Sequence, residues 1–161
     1  ILVVITVYDL YHFIIPDRLT FVLTLAVFLL IGYEYLLSPS ESSVILWRVV
    51  AALCGSAFFL FLWLISKGKW LGFGDVKLAF PLGLLVGSQF VFSFIVMSFW
   101  IGAAISLVLL GLAKLERGKL RLRFLPGGIT IKSVVPFAPF LILGCLVVFL
   151  TKLNVLSLFT L

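Results

Sequence analysis

Gly72-Phe73-Gly74-Asp75-Val76-Lys77, followed by 36 residues without a charge from Leu78 to Ala113, decides what kind of chain this is. As one helix that run would be about 54 Å long, and hydrocarbon about 30 Å thick would leave it overshooting by most of a second crossing. It has to fold back. Gly87-Ser88-Gln89 is the polar, glycine-containing interruption near its first third, so the turn is expected there and the first limb is short. An aspartate placed between a glycine turn and such a run is costly to keep, which makes Asp75 a functional candidate.

The rest of the chain has the same character. Of the 161 residues 64% are apolar and 11% charged, with a mean hydropathy of +1.36, the composition of an integral membrane protein. Residues 19–33 carry no charge and extend past Glu34 to Leu37. Residues 49–66 form a second uncharged run, with Arg48 near enough to its end to snorkel to the headgroups. Residues 133–151 give the last span. The first eight residues are apolar but too few to cross, and they read as the exit end of a truncated helix. A signal peptide fits less well, because no basic stretch and no small-residue cleavage site precede Asp9. The expected fold is all-α: a polytopic membrane helix bundle of about six transmembrane segments, the first truncated, in a single domain over residues 1–161.

Charge orients the bundle. With the loop after the first segment inside, ten of the twelve Lys and Arg fall on that side, and only Arg48 and Lys152 fall outside. Cytoplasmic loops collect Lys and Arg, so that side is predicted to be the cytoplasm. Topology and anionic lipid headgroups then account for the net charge of +6, and no nucleic-acid partner is needed. Within the basic loop 114–133, Lys119, Arg121 and Arg123 alternate with Leu120, Leu122 and Phe124. Pro126-Gly127-Gly128 supplies a turn and Ile129-Thr130-Ile131-Lys132 alternates again, which predicts a small cytoplasmic β-hairpin on the headgroups.

The same topology gathers Asp9, Asp17 and Asp75 on one face, half of the six acidic residues. Glu34 and Glu41 lie toward the opposite face and Glu116 sits among basic neighbours. Each aspartate has an ordinary explanation: Asp17 follows Pro16 and fits the first turn of a helix, where a carboxylate complements the dipole. Asp9 and Asp75 fit as solvated boundary residues. Two carboxylates held close at a membrane boundary have a second use, because like charges cannot both ionise easily. One then acts as base toward water while its protonated partner donates to a scissile carbonyl. Gly72 and Gly74 would let a backbone approach Asp75 and supply a hinge.

Three blocks carry a family resemblance. Asp9-Leu10-Tyr11-His12-Phe13-Ile14-Ile15-Pro16-Asp17-Arg18-Leu19-Thr20, Gly72-Phe73-Gly74-Asp75-Val76-Lys77-Leu78 and Val135-Pro136-Phe137-Ala138-Pro139-Phe140-Leu141 together resemble the type IV prepilin peptidases, in order, from the first residue to about residue 150. The resemblance implies an intramembrane aspartyl peptidase of the prokaryotic inner (cytoplasmic) membrane, with its active site facing the cytoplasm. It would remove the leader of a prepilin or pseudopilin precursor, just before that precursor's hydrophobic helix, without a metal or cofactor. By motif position Asp9 and Asp75 match the two catalytic aspartates. Asp17 matches a partner position eight residues on, and Gly72, Gly74 and Lys77 fall to substrate-binding or supporting roles. Asp9 and Asp17 in one continuous helix would be about 12 Å apart and could not share a water, but Pro16 is expected to break that helix.

Members often carry an N-terminal region with four cysteines and a second activity that methylates the new amino terminus. Neither shows in this sequence, and truncation of that region is the expectation. Cys54 and Cys145 lie inside apolar spans and read as packing residues. Ala138 stands where the family usually has glycine, and His12 reads as an amphipathic surface residue. Two other functions compete with peptidase. A proton-relay transporter component needs polar residues along a path through the bilayer, and the spans hold no charge near midplane. A non-catalytic membrane scaffold requires that the aspartates be replaceable.

Overall fold

A chain in hydrocarbon must satisfy its backbone hydrogen bonds within the segment, so its apolar runs become helices. The computed structural model describes residues 1–37, 42–115 and 136–158, and these form six α-helices in chain order: α1 (Leu2–His12), α2 (Asp17–Leu37), α3 (Ser42–Ser66), α4 (Phe73–Val86), α5 (Val91–Leu115) and α6 (Ala138–Thr151). A 3₁₀ turn, Val155–Leu158, follows. Among the described residues there is no strand; the expected hairpin at 119–132 lies outside them.

Three of the helices, α2, α3 and α5, are long and apolar enough to cross a membrane. Their faces toward the outside stay apolar: Phe21, Leu29, Leu36, Trp100 and Leu107 are all more than 60% exposed. Apolar surface on that scale is what lipid covers, and helices apolar all round belong either in a core or in a membrane. Where six transmembrane segments were expected, the described residues form six helices, and three of these reach spanning length. α1, α4 and α6 have 11, 14 and 14 residues.

The short α4 and α6 form the interior. α4 packs on α2, α3, α5 and α6, and α6 packs on α1, α4 and α5. Leu78, Leu82, Leu84, Leu141, Cys145 and Val148 are fully buried among them. α5 and α6 approach closely, because a Cβ on Gly144 would stand 2.9 Å from the Cα of Ser98. Small residues let membrane helices meet backbone to backbone in this way. The Ser56 hydroxyl on α3 donates to the Val76 carbonyl at 2.9 Å and so fixes the first turn of α4.

The boundaries shift in three places. α1 runs on to His12, so Asp9 lies inside the helix and not at its end. α2 begins at Asp17, two residues before the uncharged run, because Pro16 supplies the stop and a carboxylate suits the first turn. α6 begins at Ala138 where a span from 133 was expected, with Pro139 in its first turn, where a missing N–H is harmless. The turn between α4 and α5 falls at residues 87–90, as expected.

Candidate active site

The C-terminal end of α1, the start of α2, the start of α4 and the start of α6 meet at one end of the bundle around a cavity of about 440 Å³. Asp9, Asp17, Asp75 and Lys77 line it, with Trp70 and Phe137 among its apolar wall. The three aspartates are therefore brought together. Glu34 is at the other end of α2, where it pairs with Arg48 at 2.9 Å.

Asp9 is placed by the way α1 ends. Its carbonyl accepts the Phe13 N–H at 2.8 Å, and Phe13 takes a left-handed conformation (φ 55°, ψ 29°) that closes the helix. The chain then turns through Ile14, Ile15 and Pro16 into α2. The Asp9 side chain is 5% exposed, and its Oδ2 has no hydrogen-bond partner among the described residues. The Ala138 N–H at the start of α6 donates to its carboxyl group. That amide is one of the orphan donors every helix N-terminus offers.

Asp75 is the third residue of α4. Its Oδ2 accepts the Gly72 N–H at 3.0 Å, while its own N–H reaches the Gly72 carbonyl at 3.1 Å, a reciprocal cap that holds the carboxyl in one place. It too is 5% exposed. Gly72 sits in an ordinary extended conformation, and Gly74 serves by its size: a Cβ there would stand 3.0 Å from the Cβ of Ile15. The linker between α1 and α2 is thus let in against the first turn of α4.

Both aspartates lie at the polar end of the bundle, outside the three spanning helices. Burial raises the Asp9 carboxyl above its ordinary value, opposed by the Ala138 N–H. Burial likewise pushes Asp75 up to about 7, helped by the negative charge of Asp9 and opposed by the Gly72 N–H. Burial of both carboxyl groups, and the repulsion Asp9 exerts on Asp75, favour keeping a proton on this pair. One can then take a proton from water while the other gives one to a substrate oxygen.

Asp17 and Lys77 do something different. Lys77 Nζ donates to Asp17 Oδ1 at 2.8 Å; the Asp17 side chain is largely open to solvent and that of Lys77 partly so. His12 stacks on Tyr8 at 4.3 Å and does not line the cavity. Among the described residues no three His, Cys, Asp or Glu side chains group as a metal-binding set. Cys145 is buried against the Leu82 carbonyl, and Cys54 is exposed away from this cavity.

Sequence reasoning missed the contributions of Ala138 and Ile15. Pro139 marks a helix start, which implies free amides nearby, but nothing in the sequence aims them at Asp9.

A sequence model of the type IV leader peptidase family matches residues 1–107. The chain belongs to the type IV leader peptidase family. Comparison with curated proteins and with solved structures gave no match. Asp9, Asp17, Asp75 and Lys77 all fall inside the leader-peptidase match, whereas Phe137 and the Ala138 amide lie beyond it.

Proposed function

We propose that this leader-peptidase family member is an intramembrane aspartyl endopeptidase that removes the leader from type IV prepilin-like precursors at the cytoplasmic face of the inner membrane, with Asp9 and Asp75 as its catalytic pair. One observation carries the reading: two aspartates far apart in sequence, both 5% exposed, open on one cavity at the end of a membrane-type bundle. Family membership supports the substrate class.

The chemistry follows from one proton shared by two carboxyl groups. The ionised carboxylate draws a proton from a water molecule as its oxygen attacks the scissile carbonyl carbon, and the protonated partner gives its proton to the carbonyl oxygen. The resulting gem-diol collapses, the C–N bond breaks, and the departing amine takes up the proton that came from water. The pair returns to its starting protonation, and water is the only co-reactant. Asp17, Gly72, Gly74 and Lys77 support the pair, and a prepilin or pseudopilin precursor together with membrane lipid are its partners.

The test is cleavage of a prepilin-like precursor in liposomes by the parent chain, Asp9→Asn and Asp75→Asn at matched amounts of folded protein. Each variant should lose about 10³-fold or more of the parent rate, since a dyad with one member removed lacks either base or acid. Full activity in either would sink the assignment.

A further inference from the structure

The two candidate catalytic carboxylates belong to different helices, so their spacing depends on how the α1–α2 linker is fastened to α4. It is fastened at two points that bracket Asp75 in sequence. Before it, Gly74 admits Ile15 so closely that a Cβ at 74 would stand 3.0 Å from the Ile15 Cβ. After it, Lys77 Nζ bonds Asp17 Oδ1 at 2.8 Å, joining residues 60 apart in the chain. Lys77 is itself held in place. Its ammonium lies 5.1 Å from the centroid of the Phe73 ring, and Phe73 packs on Trp63 of α3 at 5.4 Å. The ion pair is therefore backed through α4 onto one of the spanning helices.

We propose that Asp17 and Lys77 are positioning residues, a clasp that locks the α1–α2 linker to the first turns of α4 and so sets Asp9 against Asp75. The proposal rests on the peptidase reading for its assay. An exposed ion pair contributes little to stability, so breaking it should leave the chain folded. Catalysis is less forgiving, because a displacement of about 1 Å in a reacting group can lower a rate by about 10²-fold.

The experiment compares kcat and KM for precursor cleavage in liposomes among four variants. Lys77→Met keeps the aliphatic stem over Phe73 and removes the charge; Asp17→Asn removes the other charge from a side chain that is 73% exposed. Each should lower kcat by about 10-fold or more while KM stays within about 2-fold. Lys77→Arg should stay close to the parent, and the exchanged pair Asp17→Lys with Lys77→Asp should recover most of the lost kcat. Parent-like kcat in both single variants would overturn the clasp. So would a rise in KM alone, which would put these charges on the substrate, or an exchanged pair no better than its singles. Cleavage by Asp75→Asn would bring down the peptidase reading and the clasp with it, whereas the preceding results bring down the clasp alone.

Discussion

Asp75 pairs an ionisable group with a place that disfavours its charge, and that has a consequence for stability apart from catalysis. Its carboxyl holds a proton up to a pH of about 7 in the folded chain, against an ordinary value of 3.8. The folded state binds that proton more tightly than the unfolded one. This contribution to stability is therefore complete below about pH 4 and is lost as pH rises through about 7. Asn cannot ionise, and its amide oxygen can still accept the Gly72 N–H that Asp75 Oδ2 now accepts at 3.0 Å. Asp75→Asn should therefore be more stable than the parent in detergent at pH 8, by an amount on the order of 1–4 kcal/mol and with a higher melting temperature to match, and should equal it near pH 4. Thermal melts at the two pH values decide the matter; a variant less stable than the parent at pH 8 would show that Asp75 is not held against its charge. Asp9, with Oδ2 unpartnered among the described residues, should shift stability in the same direction.

At the level of helices, α5 and α6 meet backbone to backbone at Ser98 and Gly144, and Gly144 lies on the same helix whose first amide, that of Ala138, acts on Asp9. A side chain at Gly144 would run into the backbone of Ser98, so Gly144→Leu should force the two helices apart, lower stability by about 1–3 kcal/mol or more and reduce cleavage with it. Gly32→Leu is the control, because a Cβ there meets nothing within 4 Å. Equal melting temperatures and equal activity for the two variants would remove the packing account. Helices were the part of the fold most legible in the sequence, and the reason is visible at residues 87–90. In 36 uncharged residues the polar Gly87-Ser88-Gln89 break is where a helix too long for the bilayer could turn, and it does turn there. The end of α1 was harder to read. Asp9 looks like a boundary residue, yet the helix continues until Phe13 turns left-handed ahead of Pro16, a stop whose effect reaches back several residues. Meeting of Asp9, Asp17 and Asp75 at one end followed from counting crossings. The Lys77–Asp17 bond and the Ala138 amide did not, since they depend on the rotation of packed helices about their axes, which hydropathy does not encode.

The molecule as a whole has a buried pair of short helices inside longer ones whose outer faces are apolar, and this makes depth, not exposure, the quantity that should govern surface mutations. Leu29 and Leu36 on α2 are 67% and 79% exposed, so a soluble protein would tolerate a charge at either. In a bilayer they differ. Leu29 lies near the middle of the 21-residue helix, whereas Leu36 is one residue from its end, close to Glu34 and its ion pair with Arg48. An Asp at the centre of a membrane helix costs about 2.5–3.5 kcal/mol, and the cost falls toward the interface, where headgroups and water reach the side chain. Leu29→Asp should therefore reduce integration into liposomes or microsomes, its insertion equilibrium constant falling by about 10²-fold if α2 inserted alone and by less where the neighbouring spans carry it in. Leu36→Asp should integrate like the parent. Integration assays on the two variants separate the possibilities cleanly, because their exposure is similar and only their position along the span differs. Equal integration of both, with α2 expressed as the sole apolar segment so that no neighbouring span can carry it in, would mean that α2 does not cross the membrane.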